Sequence, residues 1–92
     1  LHAASSGGHE QIVQMLLQQG ADINAQNGKH GNALYAASSR GHEQIVQMLL
    51  QQGADVNAQG GYYGNALQAA LLQGHEQIVQ MLLQQGADVN AQ

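Results

Sequence analysis

An all-α solenoid, built from helix–turn–helix units stacked in a row, is the fold class that the sequence predicts, and three observations predict it. The nineteen-residue block GHEQIVQMLLQQGAD(I/V)NAQ occurs from Gly8 to Gln26, from Gly41 to Gln59 and from Gly74 to Gln92, and the copies differ only at Ile23, Val56 and Val89. They start 33 residues apart, and a fixed period of this size marks an array in which each unit buries a face against its neighbour. Composition points the same way. Apolar residues make up 43% of the chain, yet Phe and Trp are absent, so small-residue helices in close rows are easier to fill than one thick core.

The first element of each unit is a short helix. Residues 1–7 (LHAASSG) align with Leu34–Arg40 (LYAASSR) and Leu67–Gln73 (LQAALLQ). Gly31-Asn32-Ala33 and Gly64-Asn65-Ala66 introduce the second and third copies, and an Asn side-chain oxygen suits the N-cap because it accepts from a free N–H of the first turn. Ala36, Ala37, Ala69 and Ala70 keep one side thin, so that a neighbouring helix can approach. Gly8, Gly41 and Gly74 end this helix and open the tight turn to the next.

The second element is the long helix of the block. At about 100° per residue, Ile12, Val13, Leu16 and Leu17 fall in an arc of roughly 140°, and Met15 widens it to roughly 200°. The helix is therefore expected to be buried on more than one side. Glu10, Gln11, Gln14 and Gln18 lie mostly outside that arc. Gly20 stands where a left-handed residue ends a helix. Asp22 and Asn24 bracket Ile23, from which a turn followed by a brief extended stretch is expected. The connections Gln26–Gly31 and Gln59–Gly64 carry Asn-Gly and Gly-Gly dipeptides, which predict projecting hairpin-like turns with little regular strand. The expected division is a partial unit 1–26 and complete units 27–59 and 60–92.

Charge and residue usage exclude several function classes. The net charge is −4, with six acids against Lys29 and Arg40 alone, too few bases to neutralise many phosphates or to hold an anionic membrane surface. No nucleic-acid or membrane partner is expected. Without Cys the chain has neither a disulfide framework nor a Cys-based zinc site, which fits a reducing compartment and a cytoplasmic location. No uninterrupted apolar run is long enough to span a membrane.

The side chains with chemistry to offer read more simply as structure. His9, His42 and His75 stand beside Glu10, Glu43 and Glu76, but a zinc-binding helix face needs a second His four residues on, where this chain has Val13, Val46 and Val79. Equivalent histidines of stacked units stand about 8–10 Å apart, too far to share a metal bound at about 2 Å. A structural imidazole, hydrogen-bonded to backbone between units, is the expectation. Ser5, Ser6, Ser38 and Ser39 lack a nucleophile setting and are expected on the helix surface or in small packing positions. Gly60, Gly61 and Gly64 fit turn geometry rather than a phosphate cradle. Met15, Met48 and Met81 form a stripe suited to packing between units. No catalytic residue, metal, cofactor or small-molecule substrate is expected.

A 33-residue unit of a turn and two antiparallel helices, with Gly-His between the helices and Gly-Ala-Asp-Val-Asn-Ala after them, resembles the ankyrin repeat over the whole chain. The family's Thr-Pro-Leu-His opening appears as Asn32-Ala33-Leu34-Tyr35 and Asn65-Ala66-Leu67-Gln68, while the first unit keeps Leu1-His2. Asn in place of Thr preserves the cap, and Ala in place of Pro gives up a preset φ. The spelling GNALxAA…GHExIVxxLLxxGADVNAQGGxYGNAL is similar to ankyrin arrays at the C-terminal end of filamentous-fungal NACHT-type receptors, NLR-like proteins associated with non-self recognition.

The resemblance implies a function in protein–protein recognition through the concave surface of turns and short helices. The positions there that change between units are Lys29-His30 against Tyr62-Tyr63, and Ser39-Arg40 against Leu72-Gln73; these eight are the expected partner-binding residues. Tyr62 and Tyr63 are expected to stand unshielded among glycines, and Leu71, at a buried small-residue position of the family, to face inward. The alternative is a structural spacer or self-associating scaffold, in which repeat number is the variable. Neither terminal unit exchanges apolar for polar residues as a capping repeat does, so the segment is expected to be part of a longer array, with self-association through uncapped ends.

Overall fold

The computed structural model describes residues 1–90; Ala91 and Gln92, the end of the third block and of the expected unit 60–92, lie outside the described residues. Among the described residues six α-helices follow one another: α1 (His2–Ser6), α2 (Glu10–Gln18), α3 (Ala33–Arg40), α4 (Glu43–Gln51), α5 (Ala66–Leu72) and α6 (Glu76–Gln84). A 3-10 turn, Gly28–His30, lies between α2 and α3. No strand occurs among the described residues, as expected of an all-α array.

Local chemistry accounts for the ends of these helices. The Asn32 side chain accepts from the Tyr35 N–H at 2.8 Å, and Asn65 accepts from the Gln68 N–H at 2.8 Å. Both caps satisfy first-turn donors that the helix itself cannot. At the other end of α3, Gly41 takes φ 80°, where a Cβ would be strained. That reversal brings the His42 N–H to the Ala37 carbonyl at 2.9 Å. Glu43 then occupies the first turn of α4, where a carboxylate favours the positive end of the helix dipole. The long helix ends in a Schellman arrangement in every copy. In α4, Ala54 N–H reaches Leu49 O at 3.0 Å and Gly53 N–H reaches Leu50 O at 3.2 Å, satisfying carbonyls that the last turn leaves free.

The helices form two layers. In one row α3 packs between α1 and α5; in the second, α4 packs between α2 and α6, and each long helix also lies against its own short one. The longest dimension, 34 Å, accommodates three helix pairs at the usual interaxial distance of about 8–10 Å. The core runs along the stack between the layers. Leu34, Ala37, Ile45, Val46, Leu49, Leu67, Ala70, Ile78 and Leu82 are all buried in it, and the alanines let the short-helix row close up.

Hydrogen bonds recurring from one unit to the next tie the stack together. His42 Nε2 donates to Ser6 O at 3.0 Å and His75 Nε2 to Ser39 O at 3.1 Å, the structural role expected of these histidines. The Asp-x-Asn sequence makes a second ladder. Asn24 N–H donates to its own Asp22 Oδ1 at 3.0 Å, while Asn24 Oδ1 accepts from Asp55 N–H at 2.9 Å; Asn57 repeats the pattern with Asp88 N–H at 2.8 Å. The turn expected after the long helix lies here. Residues 23–24 form a turn, with Ala25 N–H on Asp22 O at 3.3 Å, because the Asp side chain supplies the acceptor that curls the chain.

Two expectations are corrected by position in the stack. Met48 and Met81 pack against the core, whereas Met15 is 62% exposed, since among the described residues no long helix lies on the outer side of α2. Leu71 does not face inward; it is 50% exposed. Its counterparts Ser5 and Ser38 are fully buried because α3 covers α1 and α5 covers α3, and among the described residues nothing covers α5 in the same way.

Candidate binding groove

Each projecting turn closes on itself and then leans on the next. Asn27 N–H donates to Gly31 O at 2.9 Å, and Gly60 N–H to Gly64 O at 2.8 Å. Between turns, Gly61 N–H donates to Gly28 O at 3.2 Å and Tyr62 N–H to Lys29 O at 2.8 Å. The turns therefore form a continuous backbone-bonded edge beside the short-helix row. In the angle between them lies an open groove of about 500 Å³.

All of the expected partner-binding residues except Leu72 line this groove. Lys29 and His30 come from the 3-10 turn, Tyr62 and Tyr63 from the following turn, Ser39 and Arg40 from the end of α3, and Gln73 from the residue that caps α5. Leu72 is 63% exposed but stands apart from it. The two tyrosines are not equivalent. Tyr62 is 79% exposed, while Tyr63 is half-buried, which corrects the expectation that both are unshielded. The Tyr63 N–H donates to the Tyr35 hydroxyl at 2.8 Å, its ring meets Tyr62 edge-on with centroids 5.1 Å apart, and Gln73 Nε2 donates to its hydroxyl at 3.4 Å.

Tyr35 is the principal residue that the sequence reading missed. It is buried in the floor of the groove, and a Cβ added at Gly31 or Gly61 would run into its ring. Gly61, at φ 85°, is thus required both by its backbone conformation and by this close approach. The matching residue of the first unit, His2, behaves alike: its Nε2 donates to the His30 carbonyl at 2.7 Å. His30 and Tyr63 are equivalent positions, so in both units the residue after the short-helix Leu reaches the same point of the next turn. The signal was present, since this position reads His2, Tyr35 and Gln68 in otherwise similar units.

The electrostatics of the groove are one-sided. Both Lys29 and Arg40, the chain's only two formal bases, line it, and no acidic residue does. Glu10, Glu43 and Glu76 stand in the first turns of the long helices, and Asp22, Asp55 and Asp88 are occupied in the turns after them. His2 and His30 meet with ring centroids 6.0 Å apart. Among the described residues no group of three or more His, Cys, Asp or Glu side chains is placed to hold a metal. The arrangement offers hydrogen-bond donors, positive charge and aromatic faces to a ligand.

Comparison with known families matches residues 1–92 to the model described as ankyrin repeats, in three copies. No curated protein matches the chain.

Proposed function

The chain belongs to the ankyrin-repeat family, and from that premise we propose that it binds a protein partner through the groove between its projecting turns and its short helices. Ankyrin repeats are in general protein–protein interaction modules and typically not enzymes. One observation carries the reading. Seven residues at positions that differ between nearly identical units, Lys29, His30, Ser39, Arg40, Tyr62, Tyr63 and Gln73, line one groove from which Leu72 stands apart, while the long helices of the invariant block build the opposite layer. Tyr and Arg are the residues that most often concentrate interface energy, and Tyr62 stands exposed at the rim.

Replacing Tyr62 with Ala is expected to abolish capture of the partner in a pull-down while leaving the far-ultraviolet circular dichroism unchanged. Changing Gln14, Gln47 and Gln80 to Lys, on the exposed side of the long helices, leaves capture intact. Capture that survives the Tyr62 change and scales with repeat number favours the spacer or scaffold reading, which the near-identity of the blocks supports.

The setting we propose is the sensor arm of a fungal NLR-like receptor, in a cytoplasmic protein, with unit boundaries at 1–26, 27–59 and 60–92. The support is the spelling of the repeat, Gly-Asn-Ala-Leu before each complete helix pair, and the near-identity of successive units. No helix among the described residues is long and apolar enough to cross a membrane. No nucleic acid, cofactor, metal or small-molecule substrate enters this reading. Sequencing the parent gene tests the setting: a nucleotide-binding domain upstream supports it, and a cytoskeletal or membrane module there removes it.

A further inference from the structure

We propose that the groove takes a short acidic peptide segment, whose carboxylates lie between Lys29 and Arg40 and whose adjacent apolar or aromatic side chain packs on Tyr62; this rests on the groove being the partner-binding site. The chain carries a net charge of −4, so a ligand of like sign is repelled by the molecule as a whole and needs a specific place to land. Only one place qualifies among the described residues. Both formal bases line the groove, all six acids lie outside it, and His2 and His30 add imidazole edges between the turns and α1.

The occupant follows from the size and sign of this feature. Two bases match two or three carboxylates and fall short of the several phosphates that a nucleic acid needs neutralised. Arg40 presents a planar fork suited to a carboxylate, and Lys29 a mobile point charge. About 500 Å³ gives room in the open groove for a few side chains of such a segment. The groove floor is polar and aromatic. The Tyr35 hydroxyl is already engaged by the Tyr63 N–H, so the groups left to meet a ligand are the exposed ones at the rim: Lys29, His30, Arg40 and Tyr62.

Selection of random phage-displayed peptides on the 92-residue chain tests the proposal, run in parallel on a Lys29→Gln/Arg40→Gln chain and on a Tyr62→Ala chain. Lys29 and Arg40 are exposed, and circular dichroism checks that both variants fold. The expected result is enrichment of Asp and Glu beside an apolar residue on the wild type and loss of that enrichment on the Lys29→Gln/Arg40→Gln chain. A selected peptide, synthesised with a fluorophore, should bind roughly tenfold more weakly once its acids become Asn or Gln, the order expected for two exposed charge pairs. Its binding to the unmodified chain should also weaken as salt is raised.

Selection of uncharged or basic peptides, indifference to salt, displacement by a single-stranded oligonucleotide, or failure to select any peptide overturns the proposal. Uncharged peptides that are lost on the Tyr62→Ala chain sink the charge argument and leave the groove as the site. Peptides retained on both variant chains remove the groove as well.

Discussion

Tyr35 and Ser38 lie on the same helix, both buried, and their hydroxyls have opposite fates. The Tyr35 hydroxyl accepts from the Tyr63 N–H at 2.8 Å, so removing it strands a partly buried backbone donor. Tyr35→Phe is expected to destabilise the chain by about 1 kcal/mol, and through the Tyr63 turn to loosen the groove floor. Among the described residues Ser38 Oγ, under α5, and Ser5 Oγ, under α3, are buried without a hydrogen-bond partner. An unpaired buried hydroxyl costs free energy that a methyl group does not, so Ser38→Ala should stabilise by about 1 kcal/mol. Urea titration of the two variants beside wild type measures both. A lower midpoint for Ser38→Ala would mean that its hydroxyl has a partner in solution.

The three long helices have one sequence and three environments, which makes them an internal control on what burial is worth. Leu49 in α4 and Leu82 in α6 are fully buried, whereas the equivalent Leu16 in α2 is only half-buried. Leu49→Ala should cost roughly 2–5 kcal/mol, the range for emptying a core site, and Leu16→Ala distinctly less. Since helix propensity and sequence context are the same in all copies, the difference isolates packing against neighbours. Thermal melts followed by circular dichroism decide the matter; coincident midpoints for the two variants would contradict the burial assigned to α4. The same logic explains why one histidine of the repeat is idle. His42 and His75 donate to the carbonyls of Ser6 and Ser39 in the unit before, and His9 is exposed with no described unit preceding it.

At the scale of the molecule, large aliphatic side chains are left in water at the two ends of the stack, apart from the groove and its exposed Tyr62. Ile12 and Met15 are exposed at one end, and Leu71, Leu72 and Leu83 at the other. Faces of this kind in a repeat array are complementary to further units. The isolated chain is therefore expected to associate reversibly through these faces, with an average mass in sedimentation velocity that rises with concentration. Changing Leu71 and Leu72 to Ser, the residues that α3 carries at Ser38 and Ser39, should shift the population toward monomer. Association that this change leaves untouched would place the contact elsewhere. Stability should rise with association, because each new interface adds a nearest-neighbour term.

Period, helix pairs, caps and histidine ladder were legible in the sequence because each depends on contacts that recur at a fixed spacing. Asn32 and Asn65 cap a first turn three residues away, and Gly41 reverses a chain whose next donor is adjacent. Such features are local or repeat with the unit, so the chain alone determines them. The variable residues of the groove could be picked out in the same way, by comparing units. What the sequence left open depends on which neighbour lies across a given face. Leu71 looks like a core residue until its exposure is seen, and Met15 differs from Met48 only in having no helix beyond it among the described residues. Tyr62 and Tyr63 are adjacent and identical, yet the Tyr62 side chain is exposed while Tyr63 is half-buried and bonded to Tyr35, 28 residues earlier. Burial is a property of pairs of surfaces, and only the tertiary structure says which surfaces meet.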